Sequence, residues 1–297
     1  MRVLLTGGTG LIGRELVGRL KRNHQLVIVS RQPRANEEGV VYCPLEEFYG
    51  WQQLNDIDAV INLAGEPIAE KRWTSGQKEM IVQSRWRITD HIAKLITASE
   101  TPPSVFISGS AIGIYGNSGS QVVDENSAQG GGFPQQVCER WESLAKTAAD
   151  STRVVILRTG IVMALEGGVL GKVLPIFKLG GGGRLGSGQQ YMSWVSIDDA
   201  VSAIEYLMLN EHCQGVFNIT APTAVTNAEF TRLLAGKLKR PGRLPMPAFI
   251  LKKTLGELSC LMLDSQNVAP RALLEAGFVF KNNAFEDALD QIFADRN

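Results

Sequence analysis

Three glycines at a spacing of three, Gly7, Gly10 and Gly13, are the residues of this chain whose chemical use is plainest. They fall in Thr6-Gly7-Gly8-Thr9-Gly10-Leu11-Ile12-Gly13. Lacking side chains, Gly7 and Gly10 let backbone N–H groups approach a pyrophosphate, while Gly13 lets a following helix pack close to a preceding strand. The flanking elements fit. Residues 2–5 are apolar enough for a buried strand, and Leu16, Val17 and Leu20 fall on one face of a helix. Strand, glycine turn and helix N-terminus together form an anion cradle. Gly7, Thr9, Gly10, Leu11, Ile12 and Gly13 are therefore expected to contact a dinucleotide.

The second apolar run, Gln25–Ser30, ends in Ser30-Arg31, with Arg34 three residues on. NAD binders place an acid at about this distance from the glycines to hold the ribose hydroxyls. No Asp or Glu occupies this tip. A guanidinium there can bind a 2′-phosphate and stack on adenine, so Ser30 and Arg31 point to NADP(H). Another strand ends in Asn62-Leu63-Ala64-Gly65, whose small residues at a strand's carboxyl end suit a close backbone approach to the same cofactor.

The elements that must position these residues are legible as an alternation. Apolar runs at 25–30, 58–62, 104–108, 153–157 and 215–219 alternate with helical patterns at 76–98, 134–149, 199–209 and 227–238. Such alternation implies an α/β fold, a doubly wound parallel sheet of Rossmann type with crossover helices. Ser196 followed by Asp199 starts one helix as a capping pair. Beyond Pro241, Pro245 and Pro247 a smaller, mainly helical C-terminal lobe is expected, with helices at 251–263, 268–275 and 284–294. The cofactor domain is placed at 1–165 plus about 190–220. The substrate cleft and C-terminal lobe are placed at 166–189 and 221–297. Gly180 to Gly188 reads as a mobile loop between the lobes, bordering the cleft with Gln190 and Trp194.

Composition narrows the function classes. Thirty basic residues balance thirty acidic ones, which gives no electrostatic case for nucleic acid or an anionic membrane. No apolar run is long enough to span a bilayer. The N-terminal segment lacks the pattern of a signal peptide, so a cytoplasmic protein is expected. Cys43, Cys138, Cys213 and Cys260 lie far apart, as do His24, His91 and His212. No pair has redox or metal-ligand spacing, and no metal site is expected.

The pattern T-G-x-x-G-x-x-G resembles the short-chain dehydrogenase/reductase superfamily, in its extended, epimerase-like branch. Asn62-Leu-Ala-Gly-Glu66-Pro67-Ile68, then Lys71-Arg72-Trp73, Lys78-Glu79 and Ser84-Arg85, resembles the atypical epimerase family of type 39U. Leu244-Pro-Met-Pro247, Asn267-Val-Ala-Pro270-Arg271 and Ala276-Gly277-Phe278 resemble that family's small C-terminal domain. The resemblance runs essentially end to end. It implies NADP contacts at Ser30, Arg31, Leu63, Ala64, Glu79, Arg85 and Ile161, with Arg85 pairing with a phosphate or anchoring Glu79.

The superfamily's catalytic set is Ser with Y-x-x-x-K, in which lysine lowers the tyrosine pKa for proton transfer. Ser108-Gly-Ser110-Ala-Ile-Gly-Ile-Tyr115 resembles the serine segment, with Ser110 best placed. None of the five tyrosines has lysine four positions later. Cys138-x-x-x-Glu142 or Val137-x-x-x-Trp141 occupies that register, and a carboxylate beside a thiol raises its pKa. Two function classes stay open. One is an NADP-dependent oxidoreductase or nucleotide-sugar epimerase-like protein using Ser110 and Tyr115 on an unknown small-molecule substrate. The other is a non-catalytic NADP(H)-binding protein acting through a protein partner.

Overall fold

The computed structural model describes residues 1–294. In chain order the strands are β1 (Arg2–Thr6), β2 (Gln25–Ser30), β3 (Val40–Pro44), β4 (Ala59–Asn62), β5 (Val105–Ala111), β6 (Val122–Val123), β7 (Arg153–Thr159), β8 (Ile161–Ala164), β9 (Tyr191–Met192), β10 (Trp194–Ser196), β11 (Gly215–Ile219), β12 (Val225–Thr226) and β13 (Asn267–Val268). The helices are α1 (Leu11–Leu20), α2 (Leu45–Phe48), α3 (Ser75–Ala98), α4 (Phe133–Lys146), α5 (Gly168–Lys178), α6 (Ile197–Leu209), α7 (Asn227–Lys237), α8 (Ala248–Leu255), α9 (Cys260–Leu263), α10 (Arg271–Glu275) and α11 (Phe285–Ala294).

Seven strands form one parallel sheet in the order β11-β7-β5-β4-β1-β2-β3. The chain moves outward from β1 through β2 to β3, then returns to β4 on the other side of β1. That reversal opens a crevice at the carboxyl ends of β1 and β4, where doubly wound sheets bind ligands. Val3, Leu4 and Leu5 are wholly buried because helices cover both faces. Leu16 and Leu20 of α1 and Ile204 and Leu207 of α6 cover one face. Ile88, Ile92 and Ile96 of α3 cover the other. A further core, including Leu174, Trp194, Phe230, Leu234 and Phe285, holds the C-terminal lobe.

The structure departs from the sequence reading at several points. β3 was not foreseen, because only Val40 and Cys43 of its five residues are buried. The helix expected over 251–263 breaks at Gly256, whose φ is +62°, into α8, a 3₁₀ turn and α9. The helix expected at 268–275 starts only at Arg271, because residues 267–268 pair with β6 as β13. Trp194 is core rather than cleft. It is fully buried, meets Phe285 edge-on at 5.1 Å, and donates its indole N–H to Thr223 O. The glycine loop, expected to be mobile, is tied down by backbone bonds. Met246 N donates to Arg184 O (2.9 Å) and Gly186 N to Met246 O (2.8 Å). Among the described residues no helix is long and apolar enough to cross a membrane.

The expected cap on α6 is present, since Ser196 Oγ accepts from Asp199 N at 3.0 Å. Asp199 does more than cap. Its buried carboxylate also accepts from Lys281 N (2.8 Å) and Asn282 N (3.1 Å), fixing the C-terminal segment to the sheet. Asp199→Ala would strand two backbone donors, so we expect a loss of at least ~2 kcal/mol. Urea unfolding followed by circular dichroism measures it, and Asp199→Asn should lose less.

Candidate functional site

The glycine turn is built by contacts that leave no room for side chains at two of its three positions. Gly7 has φ +75°, and a Cβ there would lie 2.5 Å from the Leu63 carbonyl. At Gly13 a Cβ would lie 2.2 Å from Gly7 O. Gly10 differs. It caps α1 in an extended conformation, and a Cβ there would meet only Gly7 O, at 3.3 Å. Packing within the chain therefore explains Gly7 and Gly13. At Gly10 a Cβ would be tight rather than excluded, so packing within the chain demands glycine less strictly there. Thr9 and Gly10 are exposed, and Leu11 and Ile12 are half-buried at the start of α1.

A buried polar chain supports the floor of this crevice. Thr6 Oγ1 donates to Asn62 Oδ1 (2.6 Å), and Asn62 Nδ2 donates to Thr89 Oγ1 (2.7 Å). Trp141 Nε1 donates to the same Thr89 oxygen (2.9 Å). The ends of β1 and β4 are thereby locked to α3 and α4. Leu63, Ala64 and Gly65 follow directly as the crevice wall.

Ser30 is buried at the tip of β2, its hydroxyl bonded to Gln32 O at 2.8 Å. Arg31 projects into solvent, with Glu66 3.7 Å away. Glu66 lies equally far from Lys71, so the group Arg31, Glu66 and Lys71 keeps a net positive charge. Arg85 does not anchor Glu79 as the resemblance allowed. Its guanidinium donates to Ile81 O (3.0 Å), lies over the Trp141 ring at 5.3 Å and packs against Gly65. Burial lowers its pKa, against the raising influence of Cys138 and Glu66. Glu79 is exposed and accepts from Gln83 at 2.7 Å. Ile161 opens β8, and its N–H donates to Ser193 O at 2.8 Å. The turn after β8 brings Gly167 against Leu11 of the glycine turn.

Where the superfamily carries Tyr and Lys, this chain carries a buried ion pair. Glu142 of α4 accepts from Arg158 of β7 through both carboxylate oxygens, at 2.8 and 3.0 Å. Ser110 Oγ donates to the same carboxylate at 2.8 Å. Arg158 Nη1 donates to Tyr115 Oη (2.9 Å), and Tyr115 donates to Asn218 Oδ1 (2.8 Å). Ser110 and Tyr115 are thus joined through Glu142 and Arg158. Burial opposes the charge on Arg158, but the hydrogen bonds and charge of Glu142 outweigh it and raise its pKa. Burial raises the Tyr115 pKa, against the lowering influence of Arg158 and Asn218. The Cys138 thiol is pushed up to about 11, chiefly by burial, with Glu142 adding to the rise. It stays protonated at neutral pH.

Arg158 escaped the sequence reading, as did Asn218 and Glu125. The available signal was an arginine ending the apolar run Val154-Val-Ile-Leu157 of a strand buried on both faces. Glu125 accepts from Asn218 N (2.9 Å) and Ala272 N (3.2 Å), carrying the network to α10.

A cleft of about 480 Å³ lies between the start of α4 and the C-terminal lobe. Trp73, Phe133 and glycines 113, 116, 131 and 132 form one wall, and Lys252, Cys260, Asp264 and Gln266 form the other. Gln190 is 6% exposed and holds Leu185 O and Met262 O, so it braces residues behind this wall.

Removing one member of a buried pair leaves an uncompensated charge. Glu142→Ala should therefore lose ~3–5 kcal/mol of stability. Glu142→Leu combined with Arg158→Met should recover most of that loss in the same urea unfolding measurement.

Comparison with known proteins agrees with this geometry. Residues 3–220 match the NAD dependent epimerase/dehydratase family, and residues 246–292 match a domain of unknown function (DUF1731). The chloroplastic SDR39U1 homolog of Arabidopsis thaliana is 39% identical over 303 residues, covering 98% of this chain and 86% of the relative. The mouse epimerase family protein SDR39U1 is 35% identical, covering 99% and 100%. The crystal structure of human SDR39U1 (isoform 2) with NADPH superposes with a TM-score of 0.92 at 33% identity, covering 98% and 99%. A nucleoside-diphosphate sugar epimerase from Corynebacterium glutamicum superposes at 0.76 with 28% identity, covering 97% of this chain and 57% of that one. The chain therefore belongs to the NAD dependent epimerase/dehydratase family, within its SDR39U1-type epimerase family proteins.

Proposed function

We propose that the chain binds NADP(H) and acts as an oxidoreductase or epimerase-like protein on a small carbonyl or hydroxyl substrate held in the 480 Å³ cleft. The observation that carries this reading is the exposed glycine turn at Gly10, at the N-terminus of α1, beside a β2 tip ending in Ser30-Arg31. The human relative solved with NADPH supports it. Backbone N–H groups of the glycine turn hold the pyrophosphate. Arg31 takes the 2′-phosphate, and Leu63, Ala64 and Gly65 shape the wall. Ile161 closes the nicotinamide side, and Arg85 adds positive charge under the wall at Gly65. Glu79, on the exposed side of α3, serves through the adjoining loop. When bound, the nicotinamide supplies or accepts hydride. Ser110 orients the substrate oxygen, and Tyr115 is the remaining hydroxyl that can hold the proton. Because burial raises the Tyr115 pKa and outweighs the lowering influence of Arg158 and Asn218, its proton leaves reluctantly and turnover is slow.

Cofactor choice is read by fluorescence titration. NADPH should bind more tightly than NADH, and Arg31→Ala should shrink that preference about tenfold, as loss of one charge-assisted contact would. Equal affinities in the unmodified protein would reject the NADP assignment. Gly10→Val should abolish binding while circular dichroism stays unchanged. Gly13→Val should disrupt the fold itself, because its Cβ meets backbone.

Chemistry is read by NADPH oxidation over aldehydes, ketones, quinones and nucleotide sugars. General acid–base help is typically worth ~10²–10⁴-fold, and rates should fall short of a Y-x-x-x-K enzyme by about that factor. Ser110→Ala and Tyr115→Phe should each reduce them further. Rates untouched by both changes would remove these residues from the reaction. Undetectable turnover with NADPH bound would remove the enzymatic half of the proposal.

A further inference from the structure

A second concave site lies wholly outside the cofactor crevice and the cleft. It is a groove of about 540 Å³ between α7 and residues 240–245, and it shares no lining residue with the cleft. Arg184, Arg232, Arg240 and Arg243 line it. They come from three stretches of chain: the glycine loop, the outer face of α7, and the segment beyond α7. In a chain with equal numbers of basic and acidic residues, this is a local excess of positive charge. Among the described residues the only carboxylate paired with any of the four is Glu229, 3.9 Å from Arg232 on the same helix.

Thr231 belongs to the inner wall of the groove. It lines the groove and is 4% exposed, and its hydroxyl has no hydrogen-bond partner among the described residues. An unpaired buried hydroxyl costs about 1–3 kcal/mol.

The backbone is shaped to bring the arginines together. Lys239, with φ +52°, is the one non-glycine residue of positive φ among those described. Such a conformation costs on the order of 1–3 kcal/mol and recurs at functional sites. It ends α7 by turning the chain back, with Arg240 N donating to Ala235 O at 3.0 Å. Gly242 then lies so close to α7 that a Cβ would meet Ala235 Cβ at 2.8 Å. Arg184 is fixed from the other side by the bond from Met246 N to its carbonyl. Complementing the helix dipole explains basic residues at the end of α7, but it explains neither Arg184 nor Arg243.

We propose that this groove is a binding site for a small oligophosphate anion, independent of the dinucleotide. Guanidinium groups bind phosphate oxygens in pairs, and the volume suits a phosphorylated small molecule rather than a single ion. No aromatic residue lines the groove. Single-stranded nucleic acid, which is bound by stacking bases on aromatic rings, is therefore disfavoured as the occupant.

The probe is inorganic triphosphate, titrated calorimetrically into the full chain with and without saturating NADPH. We expect one site of similar affinity in both conditions. Arg240→Gln with Arg243→Gln should weaken it by about tenfold or more. Binding abolished by NADPH would place triphosphate in the glycine turn and overturn the proposal, as would the absence of binding. Affinity unchanged in the arginine variant would overturn it too. A labelled single-stranded RNA that binds at lower concentration than triphosphate, and is lost in the same arginine variants, would overturn the small-anion assignment.

Discussion

Glu142 carries its charge where water scarcely reaches, 2% exposed, and a large part of the molecule is arranged to keep Arg158 beside it. An unpaired carboxylate in that position would cost several kcal/mol. The pair ties α4 to β7. Through Ser110 it holds the end of β5, and through Tyr115 and Asn218 it reaches β11. Glu125 extends the linkage to α10. The same pair governs the chemistry. A lysine at position 142 would face Arg158 across a dry interior, two cations side by side. Restoring the spacing with Cys138→Tyr and Glu142→Lys would therefore also require removing the arginine. The register in which the motif's lysine would stand thus holds a carboxylate already matched to an arginine on the neighbouring strand.

The glycines of the N-terminal turn divide into two physical kinds. Gly7 and Gly13 are required by the fold, because a Cβ at either would strike backbone. Gly10 is required less strictly, since a Cβ there would only crowd Gly7 O at 3.3 Å. A motif that reads as one unit in sequence thus carries two strict packing demands, at Gly7 and Gly13, and between them a looser one, three residues from each.

The sheet was legible because its strands are buried on both faces and read as continuous apolar runs between helical periods. β3 was not, because it is the edge strand of the sheet and buries only one residue on each face, Val40 and Cys43. The C-terminal lobe was harder. Its helices are short, and Gly256 and Pro270 interrupt what periodicity suggested were longer ones. Trp194 shows the same difficulty from the other side, since its place in the lobe core depends on Phe285, ninety-one positions on. In the site, the cofactor crevice was visible because a turn and a strand tip are local features. Ser110 and Tyr115 were visible as residue types in a familiar segment. Arg158 was not, because its meaning lies wholly in Glu142 across the sheet, and pairing across a sheet leaves no trace in local spacing.

The segment 265–268 bears on how this molecule comes into being. Gln266 donates to Ile112 O and Gly116 O, Ser265 to Gly119 O, and Val268 N to Ser193 Oγ. The first of these joins residues 154 apart in the chain. Contacts of such span form late, since the loop they close must first be brought together at an entropic cost. The sheet and its crevice can assemble from neighbouring βα units, but the far wall of the cleft waits on this seam. The crevice is thus closed by pairings of β1 with β2 and β4, whereas the chamber beside it is closed by contacts of far longer span in the chain.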